Sequence, residues 1–421
     1  MRQKIKRLAA HPFIQGGAII TGANFIIGLL NYLFNSLTAK ILGPAGYGEI
    51  TALFSYLVVF SVPFGVIVTD VIRRTGRLSH RQRPALLTWE DWLWSKIYHW
   101  RGLIIPYFLL VLILPRLTNL GFYTTLTLLI MLLLTAVGSF YSGATQGLHF
   151  FGWFAAVSII SVTVKLAGPL AVKLQVDGIF TILFFLVMSN LTAIPLYQIY
   201  LRKKLAGHRS SAEPALLKKR LYPLLFSKTM VITTISLLAL NLFNNLDMMF
   251  AKKFFSPHAA GLYGAWNLFA KIVLYVSGPL SSLSFIYFSS TAYRQQHRRS
   301  LFWLIGAIVV VGALMLTVYT LIGKQIVTII FSASYYPIIS FLPQAALFGC
   351  LYTLVAFLNG FFLAKNARAS LILAVVMPFY ALALLLFAGS FSALVTVNLI
   401  FAAISCAGYL LALAKPGLPL P

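Results

Sequence analysis

Asn31-Tyr32-Leu33-Phe34-Asn35 and Ala39-Lys40-Ile41-Leu42 at the end of a membrane-length helix, then the turn Gly43-Pro44-Ala45-Gly46-Tyr47-Gly48 and a second apolar run opening at Glu49, decide how the rest of this chain reads. Their echo lies in the second half. Leu33-Phe34-Asn35 returns as Leu242-Phe243-Asn244, Ala39-Lys40 as Ala251-Lys252, Pro44 as Pro257, and Gly46, Tyr47 and Gly48 as Gly261, Tyr263 and Gly264. Leu53-Phe54 recurs as Leu268-Phe269 and Pro63 as Pro279. Leucine and phenylalanine matches weigh little in so apolar a chain, and the comparison rests on the proline, glycine, tyrosine and asparagine positions, since proline and glycine have specific backbone roles. A duplicated helical bundle is a transporter plan, with the substrate site expected near mid-membrane between the halves.

Hydrophobic residues make up 60% of the 421 and charged ones 10%, so water is not the solvent for most of the surface. The chain reads as an all-α polytopic membrane protein. Its formal charge of +26 raises a nucleic-acid partner, but the basic residues sit mostly in short loops between apolar runs, where they act as topology signals. Cys350 and Cys406 both fall inside apolar runs, which leaves no disulfide framework and no CxxC metal site. Arg2, Lys4, Lys6 and Arg7 precede an apolar stretch that continues to about Ser36, longer than the roughly 7 to 15 residues of a signal peptide, and the stretch reads as an uncleaved first helix.

Twelve apolar runs of spanning length follow one another from 14–36 to 391–414, among them 50–68, 102–120, 153–172, 223–249 and 262–289. With the amino terminus inside, 24 of the 33 Lys+Arg fall in cytoplasmic segments, which places both ends of the chain in the cytoplasm and the protein in the cell membrane. The loop 201–222, with Arg202, Lys203, Lys204, Arg209, Lys218, Lys219 and Arg220, is polar enough to link a six-helix half over 1–200 to a second over 223–421. Such basic loops also favour anionic lipids. Between the second and third runs, Thr88 to Trp100 gathers Trp89, Trp92, Trp94 and Trp100, with Glu90 and Asp91 in what would be the first turn after Thr88. An interfacial helix near 88–100 is expected, because indoles prefer the headgroup level.

Gly17, Asn24, Gly28, Asn31 and Asn35 stack on one face of the first span, suited either to close helix contact or to a polar cavity wall, and Asn241, Asn244 and Asn245 form a matching cluster in the seventh. Charges inside the membrane say more, since a mid-span Lys or Asp costs about 2.5–3.5 kcal/mol on insertion scales. Lys165 and Lys271 lie near the centres of the fifth and eighth spans; Lys228 is a few residues inside its helix and can snorkel. Asp247, the one carboxylate well inside a span, has Asn244 one turn before it, and two readings stand for it: ligand of a coupling cation, H+ or Na+, or ion-pair partner of Lys271. Catalysis has little to build on, for there is no HExxH and Gly323-Lys324 lacks the glycine-rich approach of a phosphate loop. The reading is a transporter without a cofactor, driven by an ion gradient or by its substrate's own gradient.

With its motif at Asn31–Gly48 and the echo from Leu246-Asp247 to Gly261-Leu262-Tyr263-Gly264, the chain resembles the polysaccharide transporter family, the Wzx-type oligosaccharide flippases of the multidrug/oligosaccharidyl-lipid/polysaccharide exporter superfamily. The resemblance implies an inverted-V pair of bundles that moves a polyprenyl-diphosphate-linked oligosaccharide to the outer leaflet through a cationic cavity, alongside glycosyltransferases and a polymerase. Lys40 stands where many members have Arg, and the family's mid-span Asp matches Asp247. The first span has no acid, unlike the drug-antiporter branch, and the fourteen-helix plan of the lipid II flippase is not met. On this reading Lys165 and Lys271 receive the diphosphate as charge-assisted hydrogen bonds, with Lys40, Lys228, Asn31 and Asn35 as further substrate contacts and Asp247 with Asn244 as the coupling site. Two alternatives are a cation-coupled drug or small-solute antiporter, multidrug-extrusion-like or major-facilitator-like, which Gly65, Asp70, Arg73, Arg74, Gly76 and Arg77 faintly suggest at the wrong spacing, and a membrane glycosyltransferase or polymerase, which would need a sizeable acidic outside loop.

Overall fold

In lipid an outward-facing side chain is as apolar as a buried one, so helices assort by close packing and hydrogen bonds. A computed structural model describes residues 12–76, 78–79, 82–172, 178–205, 228–289, 297–365 and 367–414, without the side chains of 12–18, 228–230, 278–289 and 297–299. The regular elements among them are helices: α1 (Pro12–Phe60), α2 (Val62–Thr75), α3 (Ala85–His99), α4 (Ile104–Leu109), α5 (Leu114–Thr118), α6 (Phe122–Gly147), α7 (Phe151–Val172), α8 (Gly178–Leu205), α9 (Lys228–Phe254), α10 (Pro257–Ser289), α11 (His297–Ile330), α12 (Leu342–Ala364), α13 (Ile372–Phe387) and α14 (Phe391–Ala414), with short 3-10 segments between several of them. Among the described residues ten helical stretches are long and apolar enough to cross a membrane. Twelve were expected: α1 covers two of those runs in one stretch, with α2 completing the second, and the interrupted run 101–118, expected as the third, is not among the ten.

Three local expectations change. The turn over 43–48 is one residue wide: Gly43 takes φ 65, ψ −178, a backbone that a Cβ would oppose, and helix resumes at Pro44, where the missing N–H costs nothing. The third span is not continuous, since Pro106 and Pro115 each remove a donor, and the chain passes through 3-10 segments at Arg101–Leu103 and Leu110–Leu112. Helix α3 starts at Ala85, ahead of Thr88, so Glu90 and Asp91 fall beyond the first turn and do not serve its N-terminus.

The chain divides into two compact units, Met1–Asn35 with Phe60–Ser227, and Ser36–Val59 with Lys228–Pro421. The change near 227 lies close to the expected linker, whose residues from 206 onward are outside the described set. In unit 1 a core of Val71, Leu86, Phe140, Tyr141, Tyr197 and Leu201 gathers α2, α3, α6 and α8. Trp89 meets Phe140 edge-on at 5.5 Å and Trp153 stacks on Tyr200 at 4.6 Å.

Unit 2 contains the tip formed by 36–59. Tyr47, fully buried, lies edge-on to Phe331 (5.9 Å) and Tyr335 (6.3 Å), and the Tyr335 hydroxyl donates to the Ala39 carbonyl at 3.2 Å. The Lys40 ammonium donates to the Ile329 carbonyl at 2.5 Å, in the last turn of α11, where exposed carbonyls favour a cation. The repeat's glycines meet here, for a Cβ on Gly48 would come 2.7 Å from the Gly261 nitrogen and one on Gly261 would overlap the Pro44 carbonyl. Beside this contact Glu49 and Lys252, both buried, form an ion pair.

Candidate functional site

In unit 1 the expected face of α1 meets the mid-span Lys165. Asn31, Phe34 and Asn35 follow at helical spacing, and Lys165 reaches them from α7: its ammonium donates to Asn31 Oδ1 at 2.8 Å and sits 4.2 Å from the centre of the Phe34 ring. A charged hydrogen bond contributes about 1.5–3 kcal/mol and a partly desolvated cation–π contact about 0.5–2, so together they offset the roughly 2.5–3.5 kcal/mol cost of a mid-span Lys. Both contacts are neutral and orient the ammonium without changing its charge. Asn35 turns its amide back to the Asn31 carbonyl at 2.8 Å and stiffens the same turn.

In unit 2 four helices converge on Asp247. Its Oδ2 accepts from the Tyr263 hydroxyl (2.5 Å, α10) and the Asn398 amide (3.1 Å, α14), and its Oδ1 from the Met248 backbone N–H (2.7 Å, α9). Tyr380 of α13 donates to Asn398 Oδ1 at 2.7 Å and fixes which end of that amide faces the carboxylate. Lys271 interacts electrostatically with Asp247. Among the described residues, however, no ion pair within 4 Å joins them, so the contact pairing of these two is not what the fold adopts. Asn244 Oδ1 is buried with no hydrogen-bond partner, one turn from Asp247. Asn241 and Asn245 spend their amides on backbone carbonyls four residues back, at 2.8 Å each. Lys40 is held at α11 as described, and the side chain of Lys228, the first residue of α9, lies outside the described part.

Sequence reasoning missed Tyr380 and Asn398 and gave Tyr263 no chemical role. Asn398 had a signal, as the sole amide in the run 391–414. It missed a third polar centre as well. Glu90, buried in unit 1, accepts from Tyr141 (2.9 Å), Gln198 (2.7 Å) and the Arg202 Nε (3.2 Å), while Trp94 donates to the Tyr141 hydroxyl at 2.8 Å. These bonds dock the Trp-rich α3 onto α6 and α8. Glu90→Gln removes the charge from three donors, and we expect a loss of about 1.5–3 kcal/mol, read as a lower unfolding temperature of the purified protein. An unchanged temperature would show that the cluster does not hold α3.

The model of the family described as "Polysaccharide biosynthesis protein" matches residues 13–287, from the first helix through the repeat's second copy in α9 and α10. The chain belongs to that family. Solved structures agree on the fold. An inward-facing multidrug resistance MATE family transporter of the MOP superfamily superposes with a TM-score of 0.69 at 12% identity, over 94% of this chain and 98% of that one. The lipid II flippase MurJ, in an inward closed conformation, gives 0.65 at 13%, over 94% and 88%. A MOP superfamily transporter from Pyrococcus furiosus, described by the reversed polarity of its binding pocket, gives 0.58 at 12%, over 95% and 96%. No curated protein matches the sequence significantly. This member of the polysaccharide biosynthesis family is therefore a multi-pass membrane protein with the fold of the exporters and flippases.

Proposed function

We propose that the protein flips a polyprenyl-diphosphate-linked oligosaccharide from the inner to the outer leaflet of the cell membrane, both of its ends being cytoplasmic. The observation that carries this is Lys165, a cation held mid-helix by Asn31 and Phe34 in a member of a polysaccharide biosynthesis family. A diphosphate offers several anionic oxygens to such an ammonium, and Lys271 supplies a second cation from unit 2. The lipid II flippase that shares the fold is, by its name, a carrier of a lipid-linked substrate. A strain lacking the protein should accumulate the lipid-linked oligosaccharide and lose the surface polysaccharide built from it. An unchanged lipid-linked pool would contradict the reading.

Coupling runs through Asp247, and the groups around it favour a proton. Tyr263 O–H, the Asn398 amide and the Met248 N–H all point donors at the carboxylate, so a metal cation, which needs oxygen lone pairs, would have to displace them. A proton can be taken up at the carboxylate with only a reorientation of hydroxyl and amide hydrogens. Asp247→Asn should abolish the response of transport to an imposed pH gradient while protein abundance stays near normal. Collapse of abundance would assign Asp247 to the packing of α9, α10 and α14.

A further inference from the structure

We propose that unit 1 holds a second recognition site, a neutral pocket between α2, α6 and α8 that binds a sugar residue through its hydroxyl and amide hydrogens. It rests on the reading of the substrate as a lipid-linked glycan and adds where the glycan is read. The pocket has a volume of about 340 Å³, near the lower end for small-ligand sites. Each wall is one helical face: Ser61, Phe64, Gly65 and Val68 from the start of α2, Thr135, Gly138 and Ser142 from α6, and Asn190, Ile194 and Tyr197 from α8. Thr135, Ser139 and Ser142 of α6 and Asn190 of α8 line it together, so hydroxyl and amide groups of two helices face one space.

The hydrogen bonds of the walls define what fits. Thr135 donates to the Met131 carbonyl and Ser139 to the Thr135 carbonyl, both at 2.7 Å, and Asn190 donates its amide to the Leu186 carbonyl at 3.2 Å. Ser142 makes a longer bond, 3.4 Å, to the Ser139 carbonyl. The donors of Thr135, Ser139, Ser142 and Asn190 are thus spent on the helices themselves, whereas their hydroxyl lone pairs and the Asn190 carbonyl remain as acceptors. A ligand that meets these four side chains must bring hydrogens. Sugar hydroxyls and acetamido N–H groups do; a phosphate, itself all acceptors at a pocket with no charged residue in its lining, does not. Phosphate and sugar are accordingly read at different places in unit 1, the first at Lys165 and the second here.

Gly138 makes the idea testable. It stands in the α6 wall, and a Cβ built on it meets no heavy atom within 4 Å, so a side chain has open space to start from at this position. Leucine and alanine are also better helix formers than glycine, which favours folding of both variants. Binding to protein in nanodiscs is measured with two probes: polyprenyl diphosphate bearing one N-acetylhexosamine, and polyprenyl diphosphate alone. Gly138→Leu, by blocking two or three hydrogen bonds, should weaken the sugar-bearing probe on the order of ten- to a hundredfold and leave the bare diphosphate unchanged, with Gly138→Ala close to wild type. Lys165→Gln should weaken both probes alike. If Gly138→Leu binds the sugar-bearing probe as wild type does, or weakens both probes equally, the pocket is not a sugar site although the lysine reading stands. If wild-type protein binds neither probe, the proposed function fails and this inference falls with it.

Discussion

Lys252→Met should destabilise the protein by about 3–5 kcal/mol, because it removes one partner of a buried ion pair and leaves the Glu49 carboxylate without the ammonium beside it. The two residues come from opposite ends of the sequence repeat's hairpins, Glu49 from the second segment of α1 and Lys252 from the last turn of α9, and the contact holds the tip 36–59 in unit 2. Around it there is little room to adjust. Gly48 and Gly261 touch backbone to backbone, and Tyr47 is enclosed by Phe331 and Tyr335. Glu49→Gln should lose less, since a neutral amide can still accept from the ammonium. Replacing both partners with methionine should recover much of the loss, as an apolar pair of similar volume avoids the desolvation of two charges. Unfolding temperatures of the four purified proteins test this. A double variant no more stable than Lys252→Met would mean that the tip needs the charges themselves.

Lys165→Gln should weaken capture of a diphosphate-linked lipid by roughly ten- to a hundredfold, the value of one charge-assisted contact of about 1.5–3 kcal/mol. The glutamine can keep a hydrogen bond to Asn31 but not the attraction to the Phe34 ring or to phosphate. Lys165→Arg retains the charge and its preference for an aromatic face, so it should be milder. Lys271→Gln should act in the same direction, from unit 2.

Much of this was legible because helical periodicity records which residues share a face. Asn31 and Asn35 fell on one side of α1, and the rarity of a mid-span cation singled out Lys165; the fold joins the two at 2.8 Å. Periodicity does not record what a face meets. Glu49 read as the opening of an apolar run and Lys252 as the echo of Lys40, each ordinary alone, and only the packing of 36–59 in unit 2 makes them a buried pair. Glu90 read as a helix-start residue, because Arg202, Gln198 and Tyr141 lie far along the chain. Pairing Asn35 with Asn244 and Lys40 with Lys252 requires three extra residues in the second copy, yet neither α1 before Gly43 nor α9 is interrupted there. Both pairings cannot hold in one register, and three residues, five-sixths of a turn, is a slip that keeps similar faces and so conceals itself in sequence.

The most direct test of the account is transbilayer movement in sealed vesicles that contain only the purified protein and a fluorescent polyprenyl-diphosphate oligosaccharide, scored by the fraction of probe that becomes accessible on the opposite face. Wild-type protein should move the probe far faster than protein-free vesicles, Lys165→Gln and Lys271→Gln should each slow it about tenfold or more, and the double variant should approach the protein-free rate. Equal rates for wild type and the Lys165→Gln, Lys271→Gln double variant, or no movement by wild type at all, would contradict the assignment of these lysines to a diphosphate-linked substrate.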